Sequence, residues 1–110
     1  MTETKAPWSV WLAYVMHTDG AGKERPVVVL NDGSVLCVCL AVTSKRKNTR
    51  YGYKLKSLSG PKLAKESWVA FGSIELSPNA FRRQLGMLDE CDIIGIQAWL
   101  KFYPGGSFIE

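Results

Sequence analysis

Two short motifs in this chain carry residue types that bind phosphate. Arg25 precedes the apolar run of residues 26–30, and Thr43-Ser44-Lys45 follows the next apolar run, residues 35–42. Arginine binds phosphate through two parallel hydrogen bonds and keeps its charge, and hydroxyl groups donate to a non-bridging oxygen. The alternative is that these residues satisfy turns at strand ends, where such side chains are common.

A β-hairpin would bring the two motifs together. Asn31-Asp32-Gly33-Ser34 separates the apolar runs, and an Asp-Gly pair is a strong short-range hairpin signal. In an antiparallel hairpin, Arg25 and Thr43 then emerge at the same end of the sheet. The first run is almost continuously apolar, which is typical of a strand covered on both faces. Pro26 lacks an N–H group, so we expect it at the first position of that strand.

The remaining apolar segments predict a small β protein with helices at its end. Strands are expected over residues 10–16, 51–55 and 67–71, with a continuation through 74–76. Five or so short strands followed by helices indicate a small antiparallel barrel or half-barrel with the helices packed on it.

Two helices are expected after the last strand. Ser77-Pro78 is typical of a helix start, which predicts a short helix over residues 78–85 that stops before Gly86. Asp89 would cap a second helix, whose Ile93, Ile96 and Leu100 make one broad apolar face.

Length and composition favour one cytoplasmic domain. The 110 residues, 46% of them hydrophobic, suit a single domain over 1–110 with peripheral tails at 1–8 and 104–110. The longest apolar run is too short to cross a membrane, and the first residues lack the apolar centre of a secretory signal. Three cysteines, Cys37, Cys39 and Cys91, lie in apolar runs, which predicts buried reduced thiols.

The positive charge is concentrated in one segment. Residues 45–65 hold eight Lys or Arg and no acid, whereas the segments before and after carry net charges of −1 and −3. A block of one sign favours a polyanion, and aromatic rings among cations suit unstacked bases. The alternative is a solvated loop that keeps the protein soluble. The candidate RNA-binding residues are Lys45, Arg46, Lys47, Arg50, Tyr51, Tyr53 and Lys54.

Candidates for proton transfer are few. His17 is the single histidine and lies in the loop before Arg25, although an exposed loop histidine is the commoner case. Glu24 adjoins Arg25, but neighbours on a strand point to opposite faces. Cys37 and Cys39 would share one strand face without enough further ligands for a metal, which favours core packing. We therefore expect no metal and no cofactor.

The order of these motifs resembles the MazF/PemK family, the toxins of type II toxin–antitoxin modules. The resemblance extends over about residues 9–100. It rests on Trp11-Leu12-Ala13, Arg25-Pro26-Val27-Val28-Val29-Leu30, Leu40-Ala41-Val42-Thr43-Ser44-Lys45, Ser67-Trp68-Val69 and Leu85-Gly86-Met87-Leu88-Asp89.

The resemblance implies an SH3-like barrel with added helices, a homodimer, and a metal-independent endoribonuclease that cuts single-stranded RNA. It makes Arg25 and Thr43 active-site residues, with Ser44 in support and His17 or Glu24 as the base. The chain departs from the family in the loop before Arg25 and after the fifth strand, where Ala70-Phe71-Gly72-Ser73 replaces polar residues.

Two functions are therefore expected to compete. The first is the toxin, whose partners would be single-stranded RNA and a cognate antitoxin with an apolar, acidic segment. The second is the same barrel with a decayed catalytic centre, used as a binding module for a nucleic acid or a peptide.

Overall fold

One antiparallel sheet with a helix packed against it forms the part of the chain that the structure describes. This computed structural model describes residues 5–16, 22–32, 36–44 and 52–102. The sheet order is β4-β5-β3-β2-β1-β6, and every adjacent pair is antiparallel. The elements are β1 (Ser9–Met16), β2 (Gly22–Asp32), β3 (Cys37–Thr43), β4 (Tyr53–Lys54), β5 (Trp68–Leu76), a 3-10 turn (Pro78–Ala80), β6 (Phe81–Met87) and α1 (Glu90–Phe102).

The predicted β2–β3 hairpin is confirmed. Val28 pairs with Leu40, and Asp32 pairs with Cys37 next to the turn. The predicted burial of both faces of β2 is confirmed too, because Val28 and its neighbour Val29 belong to different apolar clusters and both have no exposed surface. The expected position of Pro26 is wrong, since β2 begins at Gly22 and Pro26 pairs with Leu12 inside it.

The helix expected over residues 78–85 is wrong. Ser77 does act as an N-cap, because its side chain accepts a hydrogen bond from the Asn79 N–H at 3.2 Å. The helical turn nevertheless ends at Ala80, and residues 81–87 form β6, which pairs with β1. Pairing with an open sheet edge outweighs a local capping signal here. The described sheet therefore has one strand more than the five expected.

The second predicted helix is confirmed as α1, and it covers one of two apolar clusters. The Asp89 carbonyl accepts hydrogen bonds from the N–H groups of Asp92 and Ile93, which starts the helix. Ile96 and Trp99 pack with strand residues in the cluster beneath α1. The second cluster lies on the other face of the sheet; it contains Trp11, Ala13, Val15, Val27, Val29, Cys37, Cys39 and Leu76.

A seam in this small, barrel-like fold joins the end of β6 to the segment after β4 and to the residue that precedes β1. The Met87 N–H donates to the Gly60 carbonyl at 3.2 Å, and the Leu88 N–H donates to the Trp8 carbonyl at 3.0 Å. Gly86 faces Gly60 so closely that a Cβ there would collide with the Gly60 carbonyl oxygen. The seam requires a glycine at this position.

The cysteines divide between core and surface. Cys37 and Cys39 are buried, as expected, but Cys91 is exposed, so its predicted burial is wrong. The reason is that Cys91 lies on the outer side of the first turn of α1, beside exposed Glu90. Within the described residues, no helix is long and apolar enough to cross a membrane.

Candidate phosphate-binding cleft

A cleft of about 440 Å³ lies at the end of the β2–β3 hairpin, and both sequence motifs line it. Val27 pairs with Ala41, so continuing the same register by two residues sets Arg25 opposite Thr43. Arg25, Thr43 and Ser44 all line the cleft. The structure therefore brings together the residues that the sequence singled out for phosphate binding.

The cleft exists because the first residues of β2 do not pair with β3. Residues 22–26 of β2 pair with β1, whereas pairing with β3 starts only at Val27. Pro26 has no N–H to donate, so the ladder ends naturally there. Thr43 is held from its other side by pairing with Trp68 on β5. Both walls are thus fixed by strands while the space between them stays open.

Cations outnumber acids around the cleft. Lys23, Arg25 and Lys65 line it, and Glu24 is the single carboxylate among the described lining residues. An excess of positive charge around a concave surface raises the local concentration of anions. The remaining lining residues, Pro26, Val42, Leu63, Ala64 and Ser67, make the site mostly apolar between its charged groups.

Sequence reasoning missed the contacts that hold Glu24. The Arg82 Nε donates to Glu24 Oε2 at 3.1 Å, and Arg82 Nη1 donates to the Asn79 carbonyl at 2.9 Å. The guanidinium carbon also lies 5.9 Å from the centre of the Tyr14 ring. Arg82 falls at a register shift between β6 and β1, and such bulges redirect side chains. No local signal links positions 24 and 82.

Tyr53, a candidate RNA-binding residue, is bound to α1 instead of lining the cleft. Its hydroxyl donates to Asp92 Oδ1 at 3.0 Å, and its ring lies 6.2 Å from the Trp99 ring. Burial, together with the hydrogen bond to Asp92 and its charge, raises the pKa of Tyr53 to about 12. The hydroxyl is therefore neutral and engaged within the fold.

Lys54 also lies outside the set of residues that line the cleft. Its ammonium group forms an ion pair with Glu66 at 2.9 Å and lies 5.8 Å from the centre of the Trp68 ring. The other candidates fall outside the described residues: His17, Lys45, Arg46, Lys47, Arg50 and Tyr51.

The arrangement suits a singly or doubly charged oxyanion. Its lining combines the Arg25 guanidinium, the hydroxyl groups of Thr43 and Ser44, and two lysines, Lys23 and Lys65. Such donors, fixed before a ligand arrives, stabilise developing negative charge most effectively. Among the described residues, no cluster of three or more His, Cys, Asp or Glu side chains could hold a metal ion.

The comparison with models of known protein families finds no match, and neither does the comparison with curated proteins.

Proposed function

We propose that this protein is a metal-independent endoribonuclease that cuts single-stranded RNA, acting as the toxin of a toxin–antitoxin pair. One observation carries the proposal: Arg25 and Thr43 both line a cation-rich cleft just beyond the Val27–Ala41 pair, where the pairing of β2 with β3 ends. The resemblance of the same residues to the MazF/PemK family supports the choice of RNA over other phosphate compounds.

The proposed reaction needs only the substrate's own nucleophile. The ribose 2′-hydroxyl loses its proton to a base and attacks the adjacent phosphorus, and the P–O5′ bond breaks. The products are a 2′,3′-cyclic phosphate and a 5′-hydroxyl that has gained a proton. Arg25 would stabilise the charge of the pentacovalent intermediate, and Thr43, supported by Ser44, would fix a non-bridging oxygen. Donors of this kind each contribute about 10²–10³ in rate.

Glu24 is the proposed base among the described residues. It lines the cleft, and its carboxylate is held at one oxygen by Arg82. His17 remains the other candidate. The 5′-hydroxyl oxygen leaves next to Arg25, which is the nearest proposed donor for it.

The proposed partners follow from the charge of the site. A flexible single strand fits a narrow cleft, whereas a duplex keeps its bases stacked and its backbone wide apart. A neutralising antitoxin would compete for the cations with an acidic, apolar segment that folds on binding. We further propose a homodimer in the cytoplasm, where buried thiols such as Cys37 stay reduced.

The central experiment incubates the purified protein with mixed single-stranded RNA in EDTA and maps the 5′ ends of the fragments. Arg25→Ala should reduce cleavage by about 10²–10³-fold and abolish growth inhibition on induction. Arg83→Ala is the matched control, because Arg83 is an exposed arginine of β6 that does not line the cleft. Unchanged cleavage by Arg25→Ala would exclude the assigned role.

A binding module without catalysis is the second candidate. It is favoured by the ion pair of Glu24 with Arg82, because a carboxylate oxygen that already accepts from Arg82 is engaged within the protein and not with a substrate. The same assay separates the two functions. A catalyst yields fragments with 5′-hydroxyl ends, while a binding module retards intact RNA in a gel and yields none.

A further inference from the structure

Part of the lining of the cleft comes from a segment that the phosphate-binding motifs do not include. Leu63, Ala64, Lys65 and Ser67 form this part, and all lie in the connection between β4 and β5. We call residues 63–67 the second wall. Nothing in the proposed chemistry at Arg25 and Thr43 uses it.

The second wall is held firmly at both ends. At its start, the Leu63 N–H donates to the Leu58 carbonyl at 2.9 Å, and the Lys62 N–H donates to the Ser59 carbonyl at 3.2 Å. At its end, the Ser67 carbonyl accepts a hydrogen bond from the Leu55 N–H at 3.0 Å. A segment anchored in this way presents its side chains without a large ordering cost on binding.

The second wall carries side chains that are complementary to one nucleotide: an apolar surface for the base or ribose and a cation for the phosphate. Leu63 is half-buried and packs on the core beneath α1, while Ala64 and Lys65 are exposed at the cleft. Together with Val42 and Pro26, Leu63 and Ala64 make an apolar surface on which a base or ribose can lie. Lys65 adds a cation to the same part of the lining.

We propose that the second wall binds the nucleotide next to the phosphate held by Arg25, with Lys65 neutralising the following phosphate. The site would thus bind two successive phosphates, one at Arg25 and one at Lys65, with one nucleoside between them. A volume of about 440 Å³ lies within the usual range for sites that enclose one small ligand, which suits a single unstacked nucleotide. This inference rests on the proposed function, since it assigns the substrate's second contact.

Binding without cleavage tests the inference separately from the activity. The probe is a fluorescent single-stranded RNA of mixed sequence whose riboses carry 2′-O-methyl groups, so that no free 2′-hydroxyl can attack. Its affinity is measured by anisotropy across a range of salt concentrations. Each phosphate contact on a single strand contributes about 0.7 to the slope of log K against log salt.

Lys65→Ala should lower that slope by about 0.7, as should Arg25→Ala. Lys56→Ala is the matched control and should leave it unchanged, because Lys56 is exposed but does not line the cleft. A Lys65→Ala slope equal to that of the unaltered protein, with a lowered slope for Arg25→Ala, overturns the second wall and leaves the proposed function standing.

A second pair of variants tests the wall by repulsion. Ala64→Glu places a carboxylate at the cleft and should weaken binding by about tenfold or more at low salt. Ala98→Glu adds the same charge on an exposed position of α1 and should change affinity less than about twofold. Equal effects of the two substitutions would overturn the inference. A lowered Lys65→Ala slope in a protein that cuts no RNA would support the second wall and contradict the proposed catalysis.

Discussion

The cleft and the contacts around Asp92 are two polar clusters with opposite surroundings. In the cleft, Arg25 and Thr43 line a space open to solvent. The Asp92 carboxylate has no exposed surface and accepts from the Tyr53 hydroxyl and from the N–H groups of Lys56 and Ser57. We call this second cluster the Asp92 clasp.

The difference separates polar groups that stabilise the fold, in the clasp, from polar groups that are available to a ligand, in the cleft. The clasp joins α1 to the segment after β4, and the N–H distances to its carboxylate are 2.9 and 3.0 Å. A buried carboxylate is tolerated only with such partners, because an uncompensated buried charge costs several kcal/mol. Substitutions in the clasp should therefore change folding, and those in the cleft should change binding.

Asp92→Ala should have the largest effect on stability. It leaves three partly buried donors without their acceptor, so we expect the free energy of unfolding to fall by about 3–5 kcal/mol. Urea denaturation followed by circular dichroism measures this change. Glu90→Ala is the control, since Glu90 is an exposed acid in the same helical turn and should cost less than about 0.5 kcal/mol. A stable Asp92→Ala variant would show that the clasp is dispensable.

Gly95→Ala should have the next largest effect on stability, and it should destabilise the protein although a glycine-to-alanine change in a helix usually stabilises. Within a helix this change normally stabilises by about 1 kcal/mol. Here a Cβ would meet the Tyr53 ring, whose Cζ would lie 2.7 Å away, so we expect a net loss of about 1–3 kcal/mol. Thermal unfolding compares it with Gln97→Ala on the exposed side of α1. In a Tyr53→Phe background the loss of stability should be smaller, because the hydroxyl group nearest to the added Cβ is absent.

The pH dependence of stability that comes from the Tyr53 hydroxyl is a smaller effect, and it tests one member of the clasp. Its pKa rises from 10.0 to about 12 on folding, mainly because burial disfavours the charged phenolate. The folded state thus favours the neutral form, so this contribution is complete below pH 10 and disappears as the pH rises towards 12. Unfolding by urea at several pH values should show a steeper decline for the unaltered protein than for Tyr53→Phe. Parallel declines would contradict the shift.

Arg82→Ala should have the smallest effect on stability and a visible effect on binding. Its ion pair with Glu24 is exposed, with side-chain exposures of 43% and 50%, so its loss should cost less than about 1 kcal/mol. The carboxylate left at the cleft should then repel RNA and weaken binding severalfold. Arg82→Ala combined with Glu24→Gln should restore the affinity measured by anisotropy. An equal loss in the double variant would exclude charge repulsion as the cause.

Much of the cleft was predictable because its two halves are adjacent in the chain. The hairpin signal at residues 31–34 and the apolar runs around it are sufficient to predict that Arg25 and Thr43 lie at the same end of the sheet, although not the register shift between Val29 and Asn31. Local turn chemistry and strand alternation act over about ten residues, and sequence patterns express them directly.

The clasp and the second wall could not be predicted, because their contacts join distant positions. Tyr53 and Asp92 are 39 residues apart, and nothing around Tyr53 distinguishes a ring that packs on a helix from one that stacks on a base. The sequence predicts a helix where β6 forms, for a related reason. Ser77 caps a turn as expected, but the partner that extends residues 81–87 is β1, at the other end of the chain.

The pairing of β1 with β6 has a consequence for the time at which the protein acquires its shape. The first strand gains its second neighbour only from residues 81–87, and Val10 completes its core with Leu88, Ile96 and Trp99. A nascent chain is made at about 5–20 residues per second, so the earlier strands wait seconds for these partners. Completion of this part of the core is thereby tied to the synthesis of β6 and α1, and a chain that stops before residue 81 would leave β1 without its second neighbour.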